Sequence, residues 1–320
     1  MDGTGIYEIW QGLLWPLLRL MFFVSLGLMV GNFIEALNWT SKVARLARPL
    51  TRAGRLSPVT GASFSVAFFS GVSANAMLAE AYDQGRLGKF ELVMANLFNS
   101  LPRFFLHLPT VFFLTVTFIK GAAFYYVGLT MAAACLETFS VVIAGRLLLP
   151  EPQEKSAAKP DRKKKRITWR QALGGTWERF RKRIRKVAAF TVPVYVVFFL
   201  LNRFGMFEAG RDYLANHAPF LAWLHPETLG IVVLHISAEL SAALAAAGSL
   251  LDTGNISNRD LVLALLVGNV LSSPMRAIRH QFPYYAGIFS PRLALELIFY
   301  SQTFRAMSMI IVGAGYYFLG

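Results

Sequence analysis

Two arginine–histidine pairs sit where the chain is otherwise apolar. Arg103 and His107 lie one helical turn apart in the run from Phe90 to Ile119, and Arg276 and His280 repeat that spacing in the run from Leu261 to Phe289. Residues four apart share a helix face, so each pair would present a guanidinium and an imidazole together. A charge at the bilayer centre costs roughly 2.5–3.5 kcal/mol on insertion scales, so such residues point to function. Amides and hydroxyls precede both pairs: Asn96, Asn99 and Ser100 before Arg103, and Asn269, Ser272 and Ser273 before Arg276. Pro102 and Pro274 stand in the same stretches. Proline removes a backbone donor and collides with the carbonyl four residues earlier. The expectation is two interrupted helices lining a polar cavity, with arginine gripping an anionic group through its planar fork. The structural alternative is that these side chains snorkel to headgroups near helix ends or form ion pairs.

Three further groups carry charge inside apolar sequence. Glu137 and Arg305 occupy matching places 168 residues apart. They form an interhelical ion pair, or each pairs within its own half. His235 and Glu239 are one turn apart in the run Pro226–Leu251. They would bind a proton or a coupling cation, or simply hydrogen-bond to one another. Five His, one Cys and no cluster at ligand spacing argue against a metal site, and no phosphate-binding glycine loop is present. No nucleophile stands out beside a base. The expectation is a protein that is not an enzyme and carries no cofactor.

These residues must be positioned by membrane-spanning helices. The chain has 320 residues, 55% apolar and only 16% charged. Residues 151–186 hold 14 Lys/Arg against 4 Asp/Glu, which leaves the remainder far poorer in charge than soluble domains. The net charge of +14 is concentrated there too. A basic run beside apolar spans reads as a cytoplasmic loop, not a nucleic-acid surface. The lone Cys135 excludes an internal disulfide. The first twelve residues contain Asp2 and Glu8 and no Lys or Arg, so the first apolar run reads as a retained span.

Full spans are expected over Leu13–Ala36, Phe90–Ile119, Ala122–Leu149, Val187–Leu201, Leu261–Phe289 and Leu293–Leu319. A basic amphipathic stretch from Lys42 to Arg55 should lie at the interface. The chain also repeats itself. Asp83-Gln-Gly85-Arg-Leu87 followed by Glu91-Leu92-Val93-Met94-Ala95 recurs as Asp252-Thr-Gly254-Asn-Ile256 followed by Asp260-Leu261-Val262-Leu263-Ala264. Leu56-Ser57-Pro58 matches Leu224-His225-Pro226, and the Asn-Ser-Arg-His series recurs with a four-residue insertion.

Positive charge sets the orientation. A full span over Pro58–Tyr82 would put the two basic regions on opposite sides; a re-entrant hairpin breaking at Ser70-Gly71-Val72-Ser73 keeps them together. The expected fold is therefore all-α and polytopic, with two inverted-topology repeats, each of three full spans plus a re-entrant hairpin. Residues 1–149 form the first repeat, 150–186 the basic cytoplasmic loop and 187–320 the second repeat. The second hairpin lacks a glycine at its middle. Both termini would face outward from the plasma (inner) membrane of a prokaryote.

Leu46-x-x-Pro49-Leu50-x-Arg52, Leu56-x-Pro58, the hairpin with Gly71, the Asp83-x-Gly85 turn and the Asn96/Asn99-Ser100 helix together resemble the Gate-domain family of nucleoside-recognition membrane proteins. Relatives in that family include concentrative nucleoside transporters, the ferrous-iron transporter gate and spore-maturation membrane proteins. The resemblance implies a transporter-like fold with re-entrant hairpins and a central solute site. The chain departs from it at the substrate. Two Arg–His pairs suit a phosphate- or carboxylate-bearing solute, or a lipid headgroup, better than a neutral nucleoside. A single cysteine is a poor ligand set for iron. The expected function is a secondary transporter or permease for a small anionic organic solute, bound midplane between the repeats. The alternatives are a non-transporting scaffold in a membrane complex and a metal-ion permeation gate. Partners would be that solute or headgroup and the lipid bilayer, without nucleic acid; homo-oligomerisation stays open.

Overall fold

Ser57 begins the first helix of the main body. Its hydroxyl accepts from the Thr60 amide, 3.3 Å away, and Pro58 fills the first helical position, where a missing N–H costs nothing. The computed structural model describes residues 48–150, 218–238, 240–254 and 256–319, with isolated positions between 10 and 29 and between 174 and 204. The expected spans at Leu13–Ala36 and Val187–Leu201 fall largely outside the described residues, as does most of the basic loop. Glu239 and the side chain of His280 are also outside them.

The described residues are helical, with no strand among them. Helices α1 (Pro58–Ala67) and α2 (Gly71–Asp83) pack against each other. Ser70 separates them, in extended conformation, and its hydroxyl caps the Ser73 amide at 3.1 Å. At 1.5 Å per residue, α1 rises about 15 Å and α2 about 20 Å, less than the roughly 30 Å of a bilayer core. Helices α3 (Lys89–Phe98), α4 (Ser100–Ile119) and α5 (Ala122–Leu148) follow. The later part repeats the order: α6 (Leu229–Ala238) and α7 (Leu240–Thr253) pack together, then come α8 (Asn258–Leu271), α9 (Ser273–Arg276), a π-turn (Ala277–Gln281), α10 (Phe282–Ala286) and α11 (Pro291–Leu319). Among the described residues, three helices are long and apolar enough to cross a membrane: the α3–α4 pair over Lys89–Ile119, α5, and α11.

The Asp-x-Gly sequence is a helix stop, built the same way twice. Gly85 and Gly254 both adopt left-handed backbone, φ 68° and 75°, where a Cβ would be strained. At the first, the Arg86 amide bonds Ala81 O (2.8 Å) and the Gly85 amide bonds Tyr82 O (2.9 Å), closing a Schellman turn. Arg55 does the same for the short helix over 48–53 despite its Cβ (φ 52°).

Both long runs are interrupted, at Asn99 and at Ser272. In each, the break lies just ahead of the proline. A continuous helix would drive the Pro102 ring into Phe98 O and the Pro274 ring into Val270 O. Restarting the helix at Ser100 and Ser273 moves each proline into a first turn, where it fits. The expected single run over Leu261–Phe289 is thus four short pieces, with Phe282 starting afresh one residue before Pro283.

Packing joins early and late elements. Tyr126, Ile231, Leu244, Leu261 and Leu265 share one core of α5, α6, α7 and α8. Leu78, Leu92, Phe289 and Leu297 join α2 and α3 to the region around α11. Helix α5 also packs directly on α11. Small residues permit the closest approaches: a Cβ on Gly145 would lie 2.3 Å from Gly54 O, and one on Gly248 would lie 2.8 Å from Phe118 O.

Candidate functional site

The breaks leave carbonyls to be satisfied, and the arginines satisfy them. Arg103 Nε donates to Asn99 O at 3.1 Å, and Nη2 reaches back seven residues to Asn96 O at 2.9 Å. Arg276 repeats the reach, with Nη2 donating to Asn269 O at 2.6 Å and to Asn269 Oδ1 at 2.9 Å. Ser272 and Ser273 donate to that same carbonyl at 3.1 and 3.2 Å. Equivalent arginines thus hold equivalent helix breaks together.

Each asparagine before a break takes a phenol from the other part of the chain. Asn96 Nδ2 donates to Tyr285 OH at 3.1 Å and to Asn75 Oδ1 at 3.2 Å. Arg103 Nη1 donates to the same Tyr285 oxygen at 2.9 Å. Asn269 Nδ2 donates to Tyr126 OH at 2.9 Å. Asn99, fully buried, exchanges hydrogen bonds with Ser63 on α1 (3.0 and 3.4 Å). Ser100 meets Thr138 of α5 at 3.1 Å.

Glu137 and Arg305 lie in the same region, on α5 and α11. Glu137 is 3% exposed, and its Oε1 has no hydrogen-bond partner among the described residues. Arg103 and Arg305 both act on it electrostatically. Arg305 Nη2 points to Asn269 Oδ1 at 3.5 Å. His235 is buried in α6 beside Gly268, and the charges of Arg276 and Arg305 act on it. A Cβ on Gly268 would lie 2.7 Å from His235 Cβ, so only glycine lets α6 and α8 come this close. His107 is exposed.

The sequence-based residues Asn96, Asn99, Ser100, Arg103, Asn269, Ser272, Ser273, Arg276, Glu137, Arg305 and His235 therefore gather around the two breaks. Glu239 and the His280 side chain lie outside the described residues. Sequence reasoning missed Tyr126, Tyr285, Asn75, Ser63 and Thr138. A polar tip inside an apolar run was the signal available for each. The cluster can orient an oxyanion: three guanidiniums and one carboxylate meet there among the described residues, amid amide and phenol donors. A separate cavity of about 430 Å³ between α8 and α11 is apolar, walled by Trp223, Leu263, Val267, Met309 and Tyr317.

Among the described residues, the fold is helical with three helices long and apolar enough to cross a membrane, and a polar cluster lies around the two helix breaks. Over almost its whole length the chain is similar to proteins of the archaeon Methanocaldococcus jannaschii. "Uncharacterized protein MJ0871" is 23% identical over 304 residues, covering 93% of this chain and 92% of the relative. "Uncharacterized protein MJ1556" is 24% identical, covering 91% and 90%. "Uncharacterized protein MJ0880" is 20% identical, covering 92% and 96%. No family model and no solved structure matches.

Proposed function

We propose that this protein is a secondary transporter or permease of the Gate type, moving a small anionic organic solute through a site at the meeting of two inverted repeats. One observation carries the reading: two helices, broken at corresponding places, bring Arg103 and Arg276 with Asn96 and Asn269 into a region shared with Arg305. Broken helices at membrane depth are tolerated beside protein or a water-filled cavity, and in transporters such breaks hold the solute. A scaffold would use these guanidiniums only to close the breaks, whereas a transporter would also use them on its solute.

In this reading α1–α2 and α6–α7 are re-entrant hairpins entering from opposite faces, since neither arm of either pair is long enough to cross. The basic regions face the cytoplasm and both termini face outward, in the plasma membrane of a prokaryote. Arg103 and Arg276 each already hold backbone carbonyls, so they arrive pre-oriented. The solute's carboxylate or phosphate is gripped by these planar guanidiniums.

A thermal-shift screen of purified protein against anionic metabolites tests the reading, because a ligand that binds only the folded state raises the melting temperature. A hit should raise Tm in the natural protein and not in Arg103→Gln. Equal shifts in both proteins would remove Arg103 from the site.

A further inference from the structure

Glu137 is not explained by helix packing alone. Its carboxylate is nearly inaccessible, and Oε1 receives no hydrogen bond from any described residue. Structural carboxylates at such depth are fully bonded, because an unsatisfied buried charge is costly. Four helices pack on α5: α3, α4, α8 and α11. Of these, α4 carries Arg103 and α11 carries Arg305, whose charges both act on Glu137. Tyr126, on the same helix as Glu137, faces Arg305 and Asn269. Helix α8 contributes the neutral Asn269 to this region, and α3 contributes Asn96. Beyond Arg305 lies His235 of α6.

A carboxylate flanked by two guanidiniums competes with any anion that those guanidiniums bind. If both were negative, they would repel each other in a region shielded from water. We propose that Glu137 is the proton-carrying group of the anion site. When an oxyanion takes the guanidiniums, a proton from water forms an O–H bond on Glu137 Oε1, and anion and proton occupy the site together. Release of the anion returns the proton to water and leaves the carboxylate in the field of Arg103 and Arg305. The device makes the transporter a proton–anion symporter, and it rests on the anion-site reading above.

Sulfate, an oxyanion that stays unprotonated at neutral pH, serves as the probe. Its binding is measured by titration calorimetry at constant ionic strength in buffers of different ionisation enthalpy. The dependence of the heat on the buffer gives the protons taken up per sulfate bound. The natural protein should show net uptake, and Glu137→Gln should bind sulfate with none. Glu137→Gln combined with Arg305→Gln, which avoids leaving Arg305 uncompensated, should also show none. Glu137→Asp should keep the uptake, and so should His235→Asn. Uptake that survives Glu137→Gln, uptake that vanishes in His235→Asn, or sulfate binding without uptake in the natural protein overturns the coupling while sparing the anion site. Absence of sulfate binding in the natural protein overturns the anion site and the coupling together.

Discussion

The arginines show how one residue type can serve structure and chemistry together. Each guanidinium closes a helix break by binding a carbonyl seven residues back, and each stays in a polar cluster that reaches both parts of the chain. The sequence made the arginines, asparagines and serines legible, because charge and amide in an apolar run are conspicuous. It did not reveal Tyr126 or Tyr285, since a tyrosine in a hydrophobic stretch looks like any aromatic until its hydroxyl finds a partner. By spacing His107 shares a helix face with Arg103, which folds back toward Asn96; His107 is exposed. Glu137 and Arg305 give the prediction at this scale. Removing Glu137 takes the carboxylate away from Arg305, a loss that typically costs about 3–5 kcal/mol for a buried pair, while removing Arg305 leaves Glu137 with Arg103 and should cost less. Glu137→Gln and Arg305→Gln should each lower the melting temperature, and the double variant should regain much of the loss. Strictly additive losses in that double-mutant cycle would show that the two residues are uncoupled.

Among elements, the contact of the 48–55 segment with α5 is the most demanding. Gly54 O sits where a Cβ on Gly145 would be, 2.3 Å away, and backbone cannot swing aside as a side chain can. Gly145→Ala should therefore destabilise the protein by about 1–3 kcal/mol, the usual cost of overpacking. Gly128→Ala, in the same helix with open space around it, serves as the control and should change little. Comparable melting temperatures for the two variants would show that the 48–55 segment does not dock there. Element type was readable from hydrophobic runs. The points of interruption were harder to read. Prolines marked the regions, but the helices are interrupted two or three residues earlier, at Asn99 (φ −75°, ψ 4°) and Ser272 (φ −76°, ψ −7°). The π-turn over Ala277–Gln281 has no comparable sequence mark.

For the whole molecule, the repeated Asp-x-Gly stops and the paired breaks at Asn99 and Ser272 support the two-repeat reading. Orientation came from charge counting alone, since helix geometry is indifferent to which side of a membrane it faces. On a Cys135→Ser background, single cysteines at Arg48 and Lys164 should react with an impermeant reagent from the same side, and one at Asn216 from the other. Labelling of positions 48 and 164 from opposite sides would dismantle the inverted arrangement.

The central claim is that solute crosses at the paired arginines, and solute counterflow tests it most directly. Proteoliposomes are loaded with an unlabelled anion chosen by the thermal-shift screen and diluted into a trace of the same anion, labelled. A carrier accumulates label transiently, because its site exchanges one anion for another across the bilayer. The natural protein should show that overshoot, Arg103→Lys or Arg276→Lys should keep part of it, and Arg103→Gln with Arg276→Gln should abolish it while the protein stays folded. An overshoot of equal size in the double Gln variant would contradict the account.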